Sequence, residues 1–199
     1  MKNLASQDGE LYLLRGFLPQ PLANQFYTEL HDSLCWQEET LIIAGKRVLV
    51  PRLVAWYGDD DACYRYSSVA HEPLPWIPPL LSIKAKIEQQ TGTVFNSVLA
   101  NLYRNGNDSL GWHADKEKEL GQDPAIASLS LGAQRLFKIR HNKSKAILTF
   151  NLQHGDLLLM AGRLQHYWRH CVPKISKLTD PRVNLTYRYI LPSSMDSSC

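Results

Sequence analysis

The sequence predicts an α+β fold in which helices buttress one face of a β-sandwich or jelly roll. Two observations carry this reading. Helix-period apolar stripes occur only before Gly92, and six strand-like runs follow it, broken by Gly, Asn or His turns. A chain of 199 residues has room for one domain with a sizeable core, and its 44% hydrophobic and 21% charged residues are ordinary globular values.

Taken in order, Pro21 followed by Leu22, Phe26, Leu30 and Leu34 gives a core-facing helix with proline in its first turn. From Trp36 to Ala55 the pattern turns β-like. Leu41–Ile42–Ile43 and Val48–Leu49–Val50 flank Ala44–Gly45–Lys46–Arg47, which predicts a hairpin. Lys46, Arg47 and Arg52 cluster there, as solvated surface or as phosphate contacts. Trp56, Tyr57, Tyr64 and Tyr66 surround the turn Gly58–Asp59–Asp60–Asp61, either as core edge or as stacking partners for a planar substrate. Pro73, Pro75, Pro78 and Pro79 precede a second helix, in which Leu80, Ile83 and Ile87 share a face until Gly92 ends it. The strand-like runs span 95–103, 126–131, 136–140, 146–152, 156–161 and 183–191, and the serine-rich end from Ser193 to Cys199 reads as a frayed tail.

The net charge of +3 does not by itself identify a nucleic-acid binder, but its sign does not oppose an anionic partner. No apolar stretch approaches the roughly 20 residues of a membrane helix, and Met1 to Asp8 does not resemble a secretory leader. The expectation is a soluble intracellular monomer with no membrane partner. Cys35, Cys63, Cys171 and Cys199 lack Cys-x-x-Cys spacing and read as free thiols rather than zinc ligands or disulfides.

The chemistry concentrates in three segments. His113 and Asp115 lie two residues apart and so face one way in extended backbone, and His170 follows downstream. Two histidines and a carboxylate form the facial set of non-haem iron oxygenases, in which the remaining positions stay open. By the same parity Asn101 and Tyr103 share one face of their strand, and Arg182, Asn184, Thr186 and Arg188 share one face of the last. A polar row of that kind pointing into a sandwich is costly unless it meets an anion, and a small dicarboxylate gripped by paired hydrogen bonds to arginine answers the need. On spacing alone, a histidine satisfied within a strand and a half-exposed alternating strand remain equally open.

With these segments in order the chain resembles the AlkB family of iron(II)- and 2-oxoglutarate-dependent dioxygenases, from about Val50 to Leu191. Val50–Pro51–Arg52, Tyr57–Gly58–Asp59, Pro75–Trp76–Ile77–Pro78 and Ile126–Ala127–Ser128–Leu129–Ser130–Leu131–Gly132 further resemble its DNA-repair branch. The resemblance implies a double-stranded β-helix core over 93–192, a nucleotide-recognition lid and buttressing helix over 36–92, and an N-terminal extension and helix over 1–35. The tail is 193–199, and the whole forms one structural domain. It implies Fe(2+) held by His113, Asp115 and His170, with 2-oxoglutarate held by Asn101, Tyr103, Arg182, Asn184 and Arg188, and O2 as the oxidant. Arg52, Tyr64, Tyr66 and Glu117 are implied to meet the base, Tyr66 by stacking it against His113 and Glu117 near its amino group.

The implied reaction is oxidative demethylation of 1-methyladenine or 3-methylcytosine in an extruded base, releasing succinate, CO2 and formaldehyde. Lesions of this kind weaken pairing, which lowers the cost of flipping. The implied partner is alkylated DNA, single- or double-stranded, with RNA as a further polymer. Duplex-specific animal members carry an aromatic finger where this hairpin has Ala44, and alanine is a poor plug. Arg135, Lys138, Arg140, Lys143, Lys145 and Arg163 are candidates for tracking phosphates. Two rivals share the residues: a binding module for alkylated nucleic acid without turnover, and a zinc hydrolase using the same ligands.

Overall fold

The computed structural model describes residues 1–192 apart from 44, 63, 67, 68 and 178, with backbone alone for 41–43, 46, 64–66 and 69–71. In chain order the elements are β1 (Glu10–Leu14), α1 (Gln20–Ser33), β2 (Gln37–Ile43), β3 (Lys46–Gly58), β4 (Tyr64–Tyr66), β5 (Val69–His71), β6 (Leu74–Pro75), α2 (Pro78–Thr91), β7 (Ser97–Tyr103) and β8 (Leu110–His113). A short 3-10 turn, Lys118–Leu120, leads to β9 (Ile126–Gly132), β10 (Arg135–His141), β11 (Ile147–Leu152), β12 (Leu157–Ala161), α3 (Leu164–Tyr167), β13 (Trp168–Val172) and β14 (Arg182–Arg188).

The expected α+β jelly roll is present. A large sheet runs β1-β12-β9-β14-β7-β3-β2, with β6 added parallel to β3, and a smaller sheet runs β11-β10-β13-β8. Period-two alternation divides the large sheet into two faces. Val98, Ala100 and Leu102 of β7, Ala127, Leu129 and Leu131 of β9, and Val183, Leu185 and Tyr187 of β14 meet Phe26 and Leu30 of α1 and Leu80, Ile83 and Ile87 of α2. The opposite face meets the small sheet across a second core that includes Tyr103, Ile126, Phe137, Ile139, Leu158, Met160 and Trp168. Leu30, Ile83 and Ile87 are fully buried, each contributing about 2 kcal/mol by removal of apolar surface from water.

Both long helices begin with proline in the first turn, where the missing N–H costs nothing. Gly92 closes α2 at φ +69°, its N–H donating to Glu88 O at 2.8 Å. The hairpin forms as expected from β2 and β3, but β3 runs past Ala55 to Gly58, so Trp56 and Tyr57, expected beside the turn, belong to the strand itself. Pairing of Leu53 to Gly58 with β7 explains the extension, because a neighbour on the far side holds the backbone extended. β1 forms the edge of the large sheet against β12. Among the described residues no helix is long and apolar enough to cross a membrane, and Cys35 and Cys171 are free thiols.

Candidate active site

β8 and β13 are antiparallel neighbours in the small sheet, and His113 and His170 are partners in their register. The two rings stand edge to face with centroids 4.1 Å apart. Asp115 lies just past the end of β8, and the ligand atoms of His113, Asp115 and His170 all fall within 4.8 Å of one another. His113 Nδ1 faces Gly111 O at 2.9 Å. A carbonyl can only accept, so Nδ1 carries the proton and the Nε2 lone pair, 3.6 Å from Asp115 Oδ1, is left for a metal. The Asp115 N–H donates to Gln165 Oε1 at 3.1 Å, and Arg188 Nη2 donates to Asp115 Oδ2 at 3.0 Å. Phe137 stacks on His170 with centroids 5.3 Å apart.

Electrostatics keep both buried ligands in the form that a metal requires. Burial raises the Asp115 pKa, but Arg188, then His170 and His113, overcome it and bring the carboxyl down to about 2. Burial, reinforced by His113, lowers His170 to about 3 against the opposing pull of Asp115. At neutral pH Asp115 is therefore a carboxylate and His170 a neutral imidazole.

The inner face of the large sheet carries the second half of the site. Arg182 pairs in register with Tyr103, and Asn184 with Asn101, across β14 and β7. On the other side Asn184 and Thr186 oppose Ser130 and Ser128 of β9. Arg182 Nη2 donates to Ser130 Oγ at 2.8 Å, Asn184 Nδ2 to Ser128 Oγ at 2.8 Å, and Thr186 Oγ1 to Asn184 Oδ1 at 3.1 Å. Arg182 is 1% exposed, and its Nε and Nη1 have no hydrogen-bond partner. Burial lowers its pKa to about 10, which still leaves it charged at neutral pH. A buried guanidinium with two idle donors fits a carboxylate, and the imidazole and carboxylate set that Arg188 of the same strand touches fits iron(II).

The remaining expected residues fall out unevenly. Arg52 is not at a solvated hairpin tip: it is 8% exposed, with Nε donating to Asn101 Oδ1 at 2.6 Å. Glu117 is half-buried beside the 3-10 turn, and its Oε2 is shielded from solvent without a partner. Ala44 and the side chains of Tyr64 and Tyr66 lie outside the described residues. Arg135 is a correction among the proposed phosphate trackers. It is 1% exposed and bonded to backbone carbonyls, because its strand parity sends it inward with Phe137 and Ile139.

Sequence reasoning passed over Gln165, the Gly111 carbonyl, and Ser128 and Ser130 as braces. The serines alternate with apolar residues in β9, a periodic signal that could have marked them as facing the site.

Two histidines and a carboxylate joined through Arg188 to a strand that also carries a buried, half-partnered arginine are the parts that the fold of a metal-dependent oxygenase brings together. The family model for the 2OG-Fe(II) oxygenase superfamily matches residues 10–188. The chain is 42% identical over 190 residues to alpha-ketoglutarate-dependent dioxygenase alkB homolog 3 of Bos taurus, covering 90% of this chain and 66% of that protein. It is 41% identical over 180 residues to DNA oxidative demethylase ALKBH2 of Homo sapiens, covering 85% and 69%. The solved structure of OsALKBH1 superposes with a TM-score of 0.60 at 20% identity, over 89% of this chain and 97% of that one, which bears on the fold alone. The chain therefore belongs to the AlkB family of the 2OG-Fe(II) oxygenase superfamily.

Proposed function

We propose that this chain is an iron(II)- and 2-oxoglutarate-dependent dioxygenase that oxidatively demethylates N-alkylated bases, such as 1-methyladenine and 3-methylcytosine, in DNA. The observation that carries the reading is that His113, Asp115 and His170 gather within 4.8 Å while β14, which carries the half-partnered buried Arg182, reaches Asp115 through Arg188 at 3.0 Å. The relatives named DNA oxidative demethylase support the choice of polymer and reaction. With iron, 2-oxoglutarate and O2 bound, the centre supplies the oxidising power that hydroxylates an N-methyl carbon, after which formaldehyde leaves.

The chain's own part is positioning and exclusion of water. His113, Asp115 and His170 would hold the metal, with the Gly111 carbonyl and Arg188 fixing the first two. Arg182 and Tyr103 form one layer and Asn184 and Asn101 the next, while Arg188 already reaches Asp115. This order suits a diacid whose far carboxylate meets Arg182 and whose oxoacid end faces the metal. Glu117, with a shielded and partnerless oxygen, suits the exocyclic amino group of a base, and Tyr64 and Tyr66 are assigned to base contact by family likeness. Arg52 is assigned to the substrate side by family likeness, with its Nε anchored on Asn101 Oδ1.

A polyanionic partner is supported by charge distribution. The strands of the small sheet contain no Asp or Glu. Arg140 and Arg169 are register partners there, and the Arg140 guanidinium sits 4.7 Å over the Trp112 ring.

The test is to incubate the protein with iron(II), ascorbate, 2-oxoglutarate and methylated single- and double-stranded DNA and RNA, following succinate and formaldehyde. Turnover that depends on oxygen is expected. An iron-loaded protein inert on the whole panel overturns the reading. A zinc hydrolase would be indifferent to oxygen, and a binding module would keep lesion affinity without product.

A further inference from the structure

Arg135 opens β10 in the small sheet, yet its side chain reaches across to the large one. Nη2 donates to Asp108 O at 2.7 Å and Pro173 O at 2.9 Å, and Nη1 donates to Asn105 O at 3.2 Å. Those carbonyls belong to the β7–β8 connection, which leads to His113 and Asp115, and to the residue just after β13, which carries His170. The Arg135 guanidinium also lies 5.1 Å from the Tyr103 ring centroid, and that of Arg182 lies 5.2 Å from the same centroid. One buried tyrosine ring thus borders two buried cations. Among the described residues neither Arg135 nor Arg182 has an ion pair, since the Asp108 carboxylate is taken by Arg104.

We propose that Arg135 is a positioning residue that gives this site its preference for a dianionic cosubstrate, by fixing Tyr103 and adding a second positive charge behind Arg182. The proposal rests on the reading that Arg182 receives the distal carboxylate of 2-oxoglutarate. Backbone carbonyls accept from Nη1 and Nη2 of Arg135 without cancelling its charge, and its buried Nε has no partner, so the field around Tyr103 and Arg182 stays positive until an anion enters. Burial lowers the pKa of both guanidiniums, and the charge of Arg135 lowers that of Arg182 further. A cosubstrate with one carboxylate would leave that field uncompensated, and a diacid removes it.

Titration calorimetry of the full chain loaded with Mn(II) reads this without turnover. The two probes are 2-oxoglutarate and 2-oxobutyrate, which keeps the oxoacid end and lacks the distal carboxylate. Arg135→Met is expected to weaken 2-oxoglutarate about tenfold while Mn(II) and 2-oxobutyrate change less than about twofold. Arg135→Lys, which keeps the charge but not the fork, is expected to recover most of the loss. If Arg135→Met does not fold, Arg135→Gln against Arg135→Lys makes the same comparison of neutral with charged. Unchanged 2-oxoglutarate affinity overturns the proposal. So does equal weakening of both oxoacids together with Mn(II), which is what a purely structural clamp would give. Arg182→Met in the same titration separates the two readings: loss there without loss in Arg135→Met overturns the role of Arg135 alone, and loss in neither overturns the cosubstrate reading as well.

Discussion

Asp115 shows how a single residue is held in a state that it would not adopt alone. It is 3% exposed, and burial by itself favours the neutral acid; the Arg188 contact at 3.0 Å reverses that preference. Removing one partner of such a pair leaves an uncompensated buried charge. Arg188→Met is therefore expected to destabilise the metal-free protein by about 3 kcal/mol in urea unfolding. The Asp115→Asn, Arg188→Met double variant should recover much of that loss, the signature of coupling between contacting groups. His170 depends on packing instead. Phe137→Ala is expected to cost about 3 to 5 kcal/mol through the cavity it leaves, and to weaken metal binding because the stacked ring loses its support, which titration with Mn(II) would register.

At the scale of elements, the turn between β11 and β12 is tied to α1 and β9 through His154. Gly132 N–H donates to His154 Nδ1 at 2.8 Å, so Nε2 carries the proton toward Asn24 Oδ1 at 2.9 Å. Burial lowers the His154 pKa from its ordinary 6.5, so the folded state prefers the neutral ring. The unfolded chain then binds the proton more readily. The contribution is complete above about pH 6.5 and is lost as pH falls toward the lower folded value. Urea midpoints of the wild type should drop between pH 7.5 and pH 5.5, and His154→Gln should flatten that part of the profile while lowering the whole.

The same scale shows which elements could be read in advance. α1 and α2 were legible because their apolar stripes repeat at helical spacing over several turns and begin with proline. β8 and β13 were not, although they carry the ligands. Leu110–His113 is four residues long, too short for a period to stand out, and Trp168–Val172 mixes polar with apolar residues on both faces.

Across the whole molecule, charge is unevenly spread. Between Pro124 and Thr179 the only acidic residue is Asp156, whereas Lys and Arg occur nine times. Asp156 is 1% exposed and bonded to Arg15, so it does not offset the basic outer surface of the small sheet. Electrostatic binding of a polymer releases counterions in proportion to the phosphates neutralised. Replacing both Arg140 and Arg169 with alanine is expected to flatten the plot of log Kd against log salt by about 2, with little change on a methylated trinucleotide too short to reach them. Fluorescence anisotropy across a salt series checks this, and an unchanged slope would remove this face from the binding surface.

The sequence by itself determined the residue types and their parity. Alternation alone put Arg182, Asn184, Thr186 and Arg188 on one side of a strand, Asn101 and Tyr103 on one side of another, and His113 with Asp115. Only the tertiary structure decided that these sides face a common interior, that β13 pairs with β8 so that His170 stands against His113, and that Arg135 points inward while Arg140 points out. The physical reason is that alternation is local, fixed by the two-residue pleat. The choice of neighbouring strand is made by burial and backbone pairing between segments far apart in the chain, which no window of sequence contains.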